Sequence, residues 1–499
     1  MRLPYRGSPF SRVDKTSVGH YTLSIVAAAR AVSRTLKDIT SKRHIRLVMP
    51  EYAEGQRTGL EATPRSTLSV LDGVAVVVGM VVGAGIFKTP SLVAAQCGST
   101  GAVLLLWLAG GAVSLVGALC YAELTSTYPH PGGDYHYLGR SFGDIPAFLF
   151  AWSRITVIQT GSIAMHAFLL GDYASEVLRL GPYSSSVYGV GALALLTAVN
   201  ITGIRQGKWT QNVLTGLIVL GLMSVVGLGL ASAPAGHQAA AAPPATGARG
   251  IGIAMIFVLL TYGGWNEIAY LSSEVRKARK NMIRVLMLGI GSITFIYLAV
   301  NYSFLRSLGL GATASSGAVA VEMMRRTLGV PGVTYMSLLV VFTVLSSMNA
   351  VIITGSRTNY AFGRDYALFS FLGRWNAQAN TPVNALIFQS AIALGLILLG
   401  TGTRSGFATM VEYTAPVFWL FFLLVGVSLF VLRAKERAVV RPFKTPLYPF
   451  VPLVFCGACL YMLYSSLAYT GKGALAGVIV LLAGIPVFMA GRQGAASFD

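Results

Sequence analysis

The chain has 499 residues, of which 54% are hydrophobic and only 11% are charged, against about 25% charged residues in ordinary soluble domains. So few charges cannot cover the surface of a soluble protein of this size, and the high hydrophobicity also excludes a disordered chain. A net charge of +20 can indicate nucleic-acid binding. Here, however, the basic residues lie between apolar runs, which is typical of the cytoplasmic loops of membrane proteins.

The N-terminal segment differs from the rest of the chain. Residues 1–65 carry twelve Lys or Arg and five acidic residues, with no apolar run that would serve as a signal peptide. We expect a basic, disordered cytoplasmic tail. Two alternatives are contact with anionic lipid and a translation start at Met49, which would leave residues 1–48 out of the protein.

From residue 66 onward the chain consists of long apolar runs. A helix that spans a membrane needs about 20 such residues, and lipid offers no hydrogen-bond partners for open strand edges, so each run is predicted to be a helix. The twelve runs lie near residues 70–95, 101–121, 144–170, 186–204, 211–232, 250–273, 283–305, 333–354, 383–401, 408–432, 448–468 and 473–491.

The distribution of basic residues predicts the orientation. An even number of spans places both termini on one side. That side holds seventeen Lys or Arg without counting the tail, and the opposite side holds seven. We therefore expect a multi-pass protein of the cytoplasmic membrane with both termini in the cytoplasm.

The first apolar run contains a predicted break. Gly79, Gly83 and Gly85 each weaken a helix by about 1 kcal/mol relative to Ala, and Pro90 suits the first turns of a new helix. A Gly-x-x-x-Gly packing face is the alternative, but Gly85 does not belong to such a face. The helix is predicted to stop near residues 79–82 and to restart near Gly85.

The sixth run contains a second predicted break, at Gly263 and Gly264, flanked by Tyr262 and Trp265. Two broken helices five runs apart are typical of inverted-repeat transporters, whose breaks face each other at mid-membrane. The free N–H groups of the restarted halves suit a carboxylate, and the free C=O groups of the stopped halves suit an ammonium group. One such site matches both charged ends of an α-amino acid.

Seven short motifs, in order along residues 70–490, carry a resemblance to a known family. They lie at residues 83–87, 128–129, 132–135, 262–266, 274–276, 357–361 and 441–443. With them the chain resembles the amino acid–polyamine–organocation (APC) superfamily of permeases, and within it the bacterial relatives of L-type amino acid transporters. The resemblance implies an all-α membrane protein with twelve transmembrane helices in a 5+5 inverted repeat. Residues 66–433 would form the transport core, and residues 434–499 two accessory helices and the C-terminal tail.

The resemblance also implies roles for individual residues around the two breaks. The amides of Ala84 and Gly85 would hold the substrate carboxylate, and carbonyl groups of the stopped halves would hold its ammonium group. The ammonium ligands would be Val81, Leu260 and Gly263, and the residues of the side-chain pocket would be Val82, Trp265, Asn266 and Phe418.

One position departs from the family pattern. Many relatives carry a lysine where Ile218 stands, and its ammonium group bridges the first and eighth runs. That cation is absent here, which counts against proton coupling at this position and leaves Glu267 as the proton-sensitive candidate. The other ionisable residues of the runs are interpreted as paired or internally satisfied: Glu123, Arg154, His166 and Glu412.

A sodium ion is an alternative bridge between the same two runs. Its ligands would be the carbonyls of Gly79 and Val82 and the hydroxyls of Ser346 and Ser347, since a hard cation prefers oxygen. Against it, this set contains no carboxylate, and serines in membrane helices commonly bond to neighbouring helices. Uncoupled exchange is the third alternative.

The predicted function is secondary active transport of neutral, apolar amino acids by alternating access, as an antiporter or symporter. The alternative of the same fold is a carrier of amines, polyamines or cationic amino acids, which would depend on Glu267. A channel would need a lined polar pore, and an enzyme or ATP-driven pump would need a catalytic cluster or a nucleotide motif; the sequence contains neither. No cofactor and no nucleic acid is expected, and the partners are the amino acid substrate and membrane lipid.

Overall fold

The structure, a computed structural model, describes residues 64–83, 85–232, 247–316, 318–401, 406–469 and 472–495. The predicted tail up to residue 63, residues 233–246, Ala84 and the side chain of Glu412 lie outside the described residues. Within the described ranges the secondary structure is helical, apart from two isolated bridges, Leu68 to Val275 and Asn376 to Thr381.

Seventeen α-helices make up the described part of the chain. In chain order they are α1 (Val70–Val81), α2 (Gly85–Ala94), α3 (Thr100–Thr127), α4 (Asp134–Phe142), α5 (Asp144–Ser153), α6 (Gln159–Val177), α7 (Ser184–Thr202), α8 (Ile204–Ala231), α9 (Gly247–Thr261), α10 (Ala278–Leu308), α11 (Leu310–Ser315), α12 (Val319–Leu328), α13 (Val330–Asp365), α14 (Val383–Thr401), α15 (Gly406–Lys435), α16 (Phe450–Tyr469) and α17 (Lys472–Ala495). A π-helical turn (Arg154–Ile158) and two 3₁₀-helices (Trp265–Glu274 and Ala367–Gly373) complete the described part.

Each of the twelve predicted apolar runs lies on one or more of these helices. Among the described residues, nine helical segments are long and apolar enough to cross a membrane, and the bent pair α1 and α2 adds a tenth. An all-helical membrane protein is thereby confirmed. The third run is divided among α5, the π-helical turn and α6, so no single continuous α-helix covers it. The twelve-span 5+5 arrangement and the division at residue 433 stay predictions.

The start of α1 is fixed by a capping box. The amide of Asp72 donates to the hydroxyl of Ser69 (3.2 Å), and the amide of Ser69 donates to the carboxylate of Asp72 (2.8 Å). Two amides that the first helical turn would leave without partners are satisfied in this way. The Asp72 carboxylate also pairs with Lys208 at 3.2 Å, which ties the start of α1 to α8.

Small residues bring α1 and α10 into close contact. A Cβ atom on Gly73 would lie 2.9 Å from the side chain of Val285, and one on Gly289 would lie 2.7 Å from that of Val77. Helices in lipid associate through such close packing, because apolar surface alone gives no preference for protein over lipid. This contact sets α10 beside the end of α1, where the first break lies.

Two backbone hydrogen bonds hold the predicted cytoplasmic end of the first run against the end of the sixth run. The amide of Leu68 donates to the carbonyl of Glu274, and the amide of Arg276 donates to the carbonyl of Leu68, both at 2.8 Å. The side chain of Glu274 pairs with Arg357 at 2.9 Å, and both side chains are at most 1% exposed. The segment before α1 is thus fastened to the end of the 3₁₀-helix in the sixth run.

Candidate substrate site

The first run is broken where the glycines predict. Helix α1 ends at Val81, the backbone of Val82 leaves the helical region (ψ 75°), and α2 begins at Gly85 with its axis turned by 53°. Gly85 stands at the N-terminus of α2, where amides have no partner within the helix. Ala84, the other predicted carboxylate ligand, lies outside the described residues.

The second break lies directly against the first. Helix α9 ends at Thr261, and the chain turns through Gly264, whose φ of +109° is a left-handed conformation that favours glycine. A Cβ atom on Gly264 would lie 2.8 Å from the side chain of Met80. The hydroxyl of Thr261 also donates to that of Thr89 on α2 (2.9 Å). The two broken helices therefore meet backbone to backbone.

A residue that the sequence analysis missed connects the two breaks. The hydroxyl of Tyr297, on α10, lies 2.8 Å from the carbonyl oxygen of Val81 and 3.0 Å from that of Thr261. Both carbonyls end a stopped half-helix, so one hydroxyl serves both breaks. A hydroxyl in the middle of the apolar seventh run is the signal that the sequence offers for this role.

Two of the three predicted ammonium ligands already accept hydrogen bonds in this conformation. The carbonyl of Val81 accepts from the amide of Gly83 (2.7 Å) as well as from Tyr297, and that of Leu260 accepts from the amide of Gly263 (3.2 Å). A carbonyl oxygen has two lone pairs, so Leu260 keeps capacity for a further donor. Val81 can receive an ammonium group only if one of its present donors leaves.

Asn266 and Phe418 line one small cavity beside the second break. Its volume is about 10 Å³, the space that one water molecule needs, so this conformation leaves no room there for an amino acid. The residues around it are Asp134, Phe150, Arg154, Ile158, Asn266, Tyr270, Phe418, Phe421 and Phe422.

Of the two remaining predicted pocket residues, Val82 is buried at the first break, and Trp265 belongs to an aromatic cluster. Its ring packs edge-on against Tyr121 (5.2 Å between centroids) and against Phe422 (5.6 Å). Phe422 also contacts Phe418 at 5.2 Å, so it links the two aromatic rings that we predicted to line the side-chain pocket. Phe455, on α16, completes the cluster at 6.3 Å from Trp265.

Comparison with known proteins decides the family. A sequence model of the family described as amino acid permease matches residues 68–489. This range is most of the chain, and it runs from the start of α1 into α17. The chain belongs to the amino acid permease family. The expected resemblance to APC permeases is therefore confirmed.

Three curated transporters show how far the similarity of this permease extends. It is 29% identical over 404 residues to the b(0,+)-type amino acid transporter 1 of Mus musculus, covering 79% of the permease and 81% of that protein. It is 28% identical over 440 residues to the Asc-type amino acid transporter 1 of Homo sapiens, covering 86% and 81%. It is 28% identical over 467 residues to the large neutral amino acids transporter small subunit 2 of Mus musculus, covering 91% and 86%.

Glu267 is paired with a cation in the permease. Arg154, on the π-helical turn, places its two terminal nitrogens 2.6 and 3.1 Å from the carboxylate oxygens, and Thr354 donates to the same carboxylate. The Arg154 and Glu267 side chains are 2% and 9% exposed. A proton on Glu267 would remove the carboxylate charge that pairs directly with the buried Arg154 guanidinium, which is costly and counts against Glu267 as the proton carrier.

Glu123 and His166 are satisfied by neighbours, as we expected, but the partners of Glu123 could not be read from the sequence. Its carboxylate accepts from Arg433 at the end of α15 (2.8 Å), and Arg441 lies 3.4 Å away. The Nδ1 atom of His166 lies 2.6 Å from the carbonyl of Ser162, one turn earlier. Glu123 thus fastens α3 to the segment after α15.

The first, fifth and eighth runs are bridged by neutral polar groups. Three hydrogen bonds, each 2.9 Å long, make these bridges. The hydroxyl of Ser347 donates to the backbone carbonyl of Gly79, and the hydroxyl of Thr215 donates to that of Ala75. The side-chain amide of Gln211 donates to the hydroxyl of Ser346. These contacts join α1, α8 and α13. The sequence analysis named the two serines and Gly79 but missed Gln211 and Thr215.

Ile218 lies buried one turn along α8 from Thr215. The position where we expected a lysine from the resemblance thus holds an apolar side chain, and polar groups of other residues join the three helices here. Ser347 donates to the same Gly79 carbonyl that we predicted as a sodium ligand. Two of the four predicted ligands are therefore already hydrogen-bonded to each other. Among the described residues, no group of three or more His, Cys, Asp or Glu is placed to hold a metal ion.

Proposed function

We propose that this permease is a secondary transporter that carries neutral, apolar amino acids across the cytoplasmic membrane by alternating access, with both termini in the cytoplasm. The observation that carries the proposal is the contact between the two broken helices, which Tyr297 joins through the carbonyls of Val81 and Thr261. Half-helix ends in contact within a membrane present both donors and acceptors to one small ligand.

The two ends of an amino acid would bind to opposite kinds of backbone group. The amides of Ala84 and Gly85 would hold the carboxylate, favoured by the positive end of the α2 dipole. The carbonyls of Val81, Leu260 and Gly263 would hold the ammonium group. Because the Tyr297 hydroxyl already donates to Val81, the arriving ammonium group would take its place.

The side-chain end of the site supports an apolar substrate. Four of the nine residues that line the small cavity beside Asn266 are phenylalanines, including Phe418. Glu267, on which a carrier of cationic substrates would depend, is already neutralised by Arg154. One acidic residue in the lining, Asp134, favours the second candidate, a carrier of cationic amino acids or amines.

Alternating access requires that the closed end of the first run can open. Release of the substrate would separate Leu68 from Glu274 and Arg276 and expose the ion pair between Glu274 and Arg357. The small volume beside Asn266 and this closed end together support an occluded conformation.

Counterflow in proteoliposomes tests the proposal. Vesicles loaded with unlabelled L-leucine are expected to accumulate labelled L-leucine, and other neutral amino acids should compete. Leucinol and leucinamide, which lack a free carboxylate, should not compete. Full competition by leucinol would refute the carboxylate site, and competition by lysine or putrescine equal to that by leucine would favour the second candidate.

A variant and a matched control locate the site. Gly85→Val should abolish counterflow without unfolding the protein, because even the added Cβ atom would lie 3.0 Å from Thr261 at the break. Gly216→Val is the control, since a Cβ atom at Gly216 has no neighbour within 4 Å. Equal transport by both variants would place the substrate elsewhere.

A further inference from the structure

Asp134 has an unusual environment for a carboxylate. It is the first residue of α4, in the connection between the second and third runs, and it is only 3% exposed. One carboxylate oxygen, Oδ2, accepts from the hydroxyls of Tyr121 (3.0 Å) and Tyr270 (2.8 Å). The other, Oδ1, is buried and has no hydrogen-bond partner among the described residues. A buried acceptor without a donor is costly, more so when it carries charge.

The charges around Asp134 do not balance. The titratable groups that face it come from four elements: Tyr121 on α3, Tyr137 on α4 itself, Arg154 on the π-helical turn, and Glu267 and Tyr270 on the 3₁₀-helix. The side that α15 contributes to the shared cavity consists of phenyl rings. Two carboxylates therefore share one guanidinium, and the buried cluster carries one negative charge when both are ionised.

We propose that Asp134 binds the proton that this permease couples to amino acid transport, with the proton on Oδ1. This inference rests on the proposed function, since coupling presupposes a transported substrate. Oδ1 is the carboxylate oxygen that accepts no hydrogen bond among the described residues, and one proton on it brings the cluster to zero net charge.

The pKa of the Asp134 carboxyl agrees with this assignment. Burial raises the pKa of Asp134 to about 7, against the opposing effects of the Tyr270 hydrogen bond and the Arg154 charge. The carboxyl is then mostly protonated below about pH 7 and mostly ionised above it. The Oδ1 atom belongs to a residue that lines the same cavity as Asn266 and Phe418, so its charge is felt beside the proposed substrate.

Protonation also has a mechanical consequence. Hydrogen bonds to a charged acceptor are about twice as strong as those to a neutral one, so a proton on Asp134 weakens both tyrosine contacts. Tyr270 is packed tightly here, because a Cβ atom on Gly133 would lie 2.5 Å from its ring. The proton thus loosens the 3₁₀-helix of the sixth run from α3 and α4, where the broken helix must move.

Infrared titration of the full-length protein in nanodiscs tests proton binding without any substrate. We expect a protonated-carboxyl band with a midpoint near pH 7 that Asp134→Asn removes. Asp144→Asn, at an exposed acid that begins α5, should leave the band unchanged. Tyr270→Phe should raise the midpoint, because the lost hydroxyl stabilises the ionised form. Absence of the band in the wild type, or its survival in Asp134→Asn, overturns the proposal.

Proteoliposomes containing a pH-sensitive dye test the coupling. External L-leucine should drive proton entry through the wild type, and Asp134→Asn should reduce the number of protons that enter per leucine taken up at least tenfold. Leucine counterflow in the wild type without proton entry, or unchanged proton entry in the variant, overturns the inference and leaves the proposed function intact. If leucine counterflow itself fails, the proposed function fails, and the infrared titration still decides whether Asp134 binds a proton.

Discussion

Replacing Glu267 with Gln is expected to destabilise the permease by about 3 kcal/mol. The substitution keeps the size of the side chain and removes its charge, so Arg154 loses the partner that lies 2.6 Å away in a site where the two side chains are 2% and 9% exposed. Removing one member of a buried ion pair costs roughly 3–5 kcal/mol. We expect the lower end of this range, because Asp134 also acts on Arg154 and replaces part of the lost counter-charge.

An exposed ion pair on α12 provides the matched control. Arg326 and Glu322 lie 3.1 Å apart, one helical turn from each other, with side chains that are 52% and 35% exposed. Such a pair contributes only about 0.3–0.5 kcal/mol, so Glu322→Gln should unfold almost like the wild type. The same chemical change is thereby tested in a buried and in an exposed setting.

Unfolding in mixed micelles with increasing SDS, followed by tryptophan fluorescence, measures the free energies. Below pH 7, where Asp134 is mostly protonated, the double variant Arg154→Gln/Glu267→Gln should regain most of the loss, because it then leaves no unpaired buried charge. Equal losses from Glu267→Gln and Glu322→Gln would refute the reasoning, and so would a double variant less stable than Glu267→Gln alone.

Three further outcomes are expected. Gly264→Ala should abolish leucine counterflow and cost at least about 1–2 kcal/mol, because φ there is +109° and the new Cβ atom would lie 2.8 Å from Met80; Gly216→Ala, on an open helix face, should retain transport. Ser347→Ala should leave uptake independent of sodium, as the Ser347 hydroxyl is already used on Gly79; a sodium-dependent affinity in the wild type that Ser347→Ala removes would contradict this. Phe418→Ala should shift competition toward bulkier neutral amino acids by roughly 1–3 kcal/mol, and an unchanged competition profile would place the pocket elsewhere.

Both helix breaks could be predicted from the sequence because their cause is local. Glycines at residues 79–85 and at 263–264 interrupt apolar runs that would otherwise continue as helices. Glycine affects the backbone at its own position, so the break can be predicted without knowing which distant residues pack against it. The positions of the breaks, and the backbone groups they release, followed directly.

The partners of the polar side chains could not be predicted, since each contact joins distant parts of the chain. Arg154 meets Glu267 113 residues later, and Glu123 meets Arg433 310 residues later. Proximity to the end of a span suggested pairing for Arg154 and Glu123 but could not say with whom. Tyr297 was missed for the same reason, because its two acceptors lie on other helices.

Asp134 shows a further limit of sequence reasoning. In the sequence it is one acid in a connection between two runs, where a solvated carboxylate is the ordinary expectation. It is buried because the fold brings two distant tyrosines to its carboxylate: Tyr121 on α3 and Tyr270 on the 3₁₀-helix both donate to Oδ2. A residue that the apolar pattern leaves outside the membrane therefore shares a cavity with the proposed substrate pocket.

The hydroxyl of Tyr297 has a kinetic consequence under the proposed function. It donates to the Val81 carbonyl, so an arriving ammonium group would compete with this hydroxyl for one acceptor. Tyr297→Phe would remove the competitor and should therefore raise the rate at which the substrate binds.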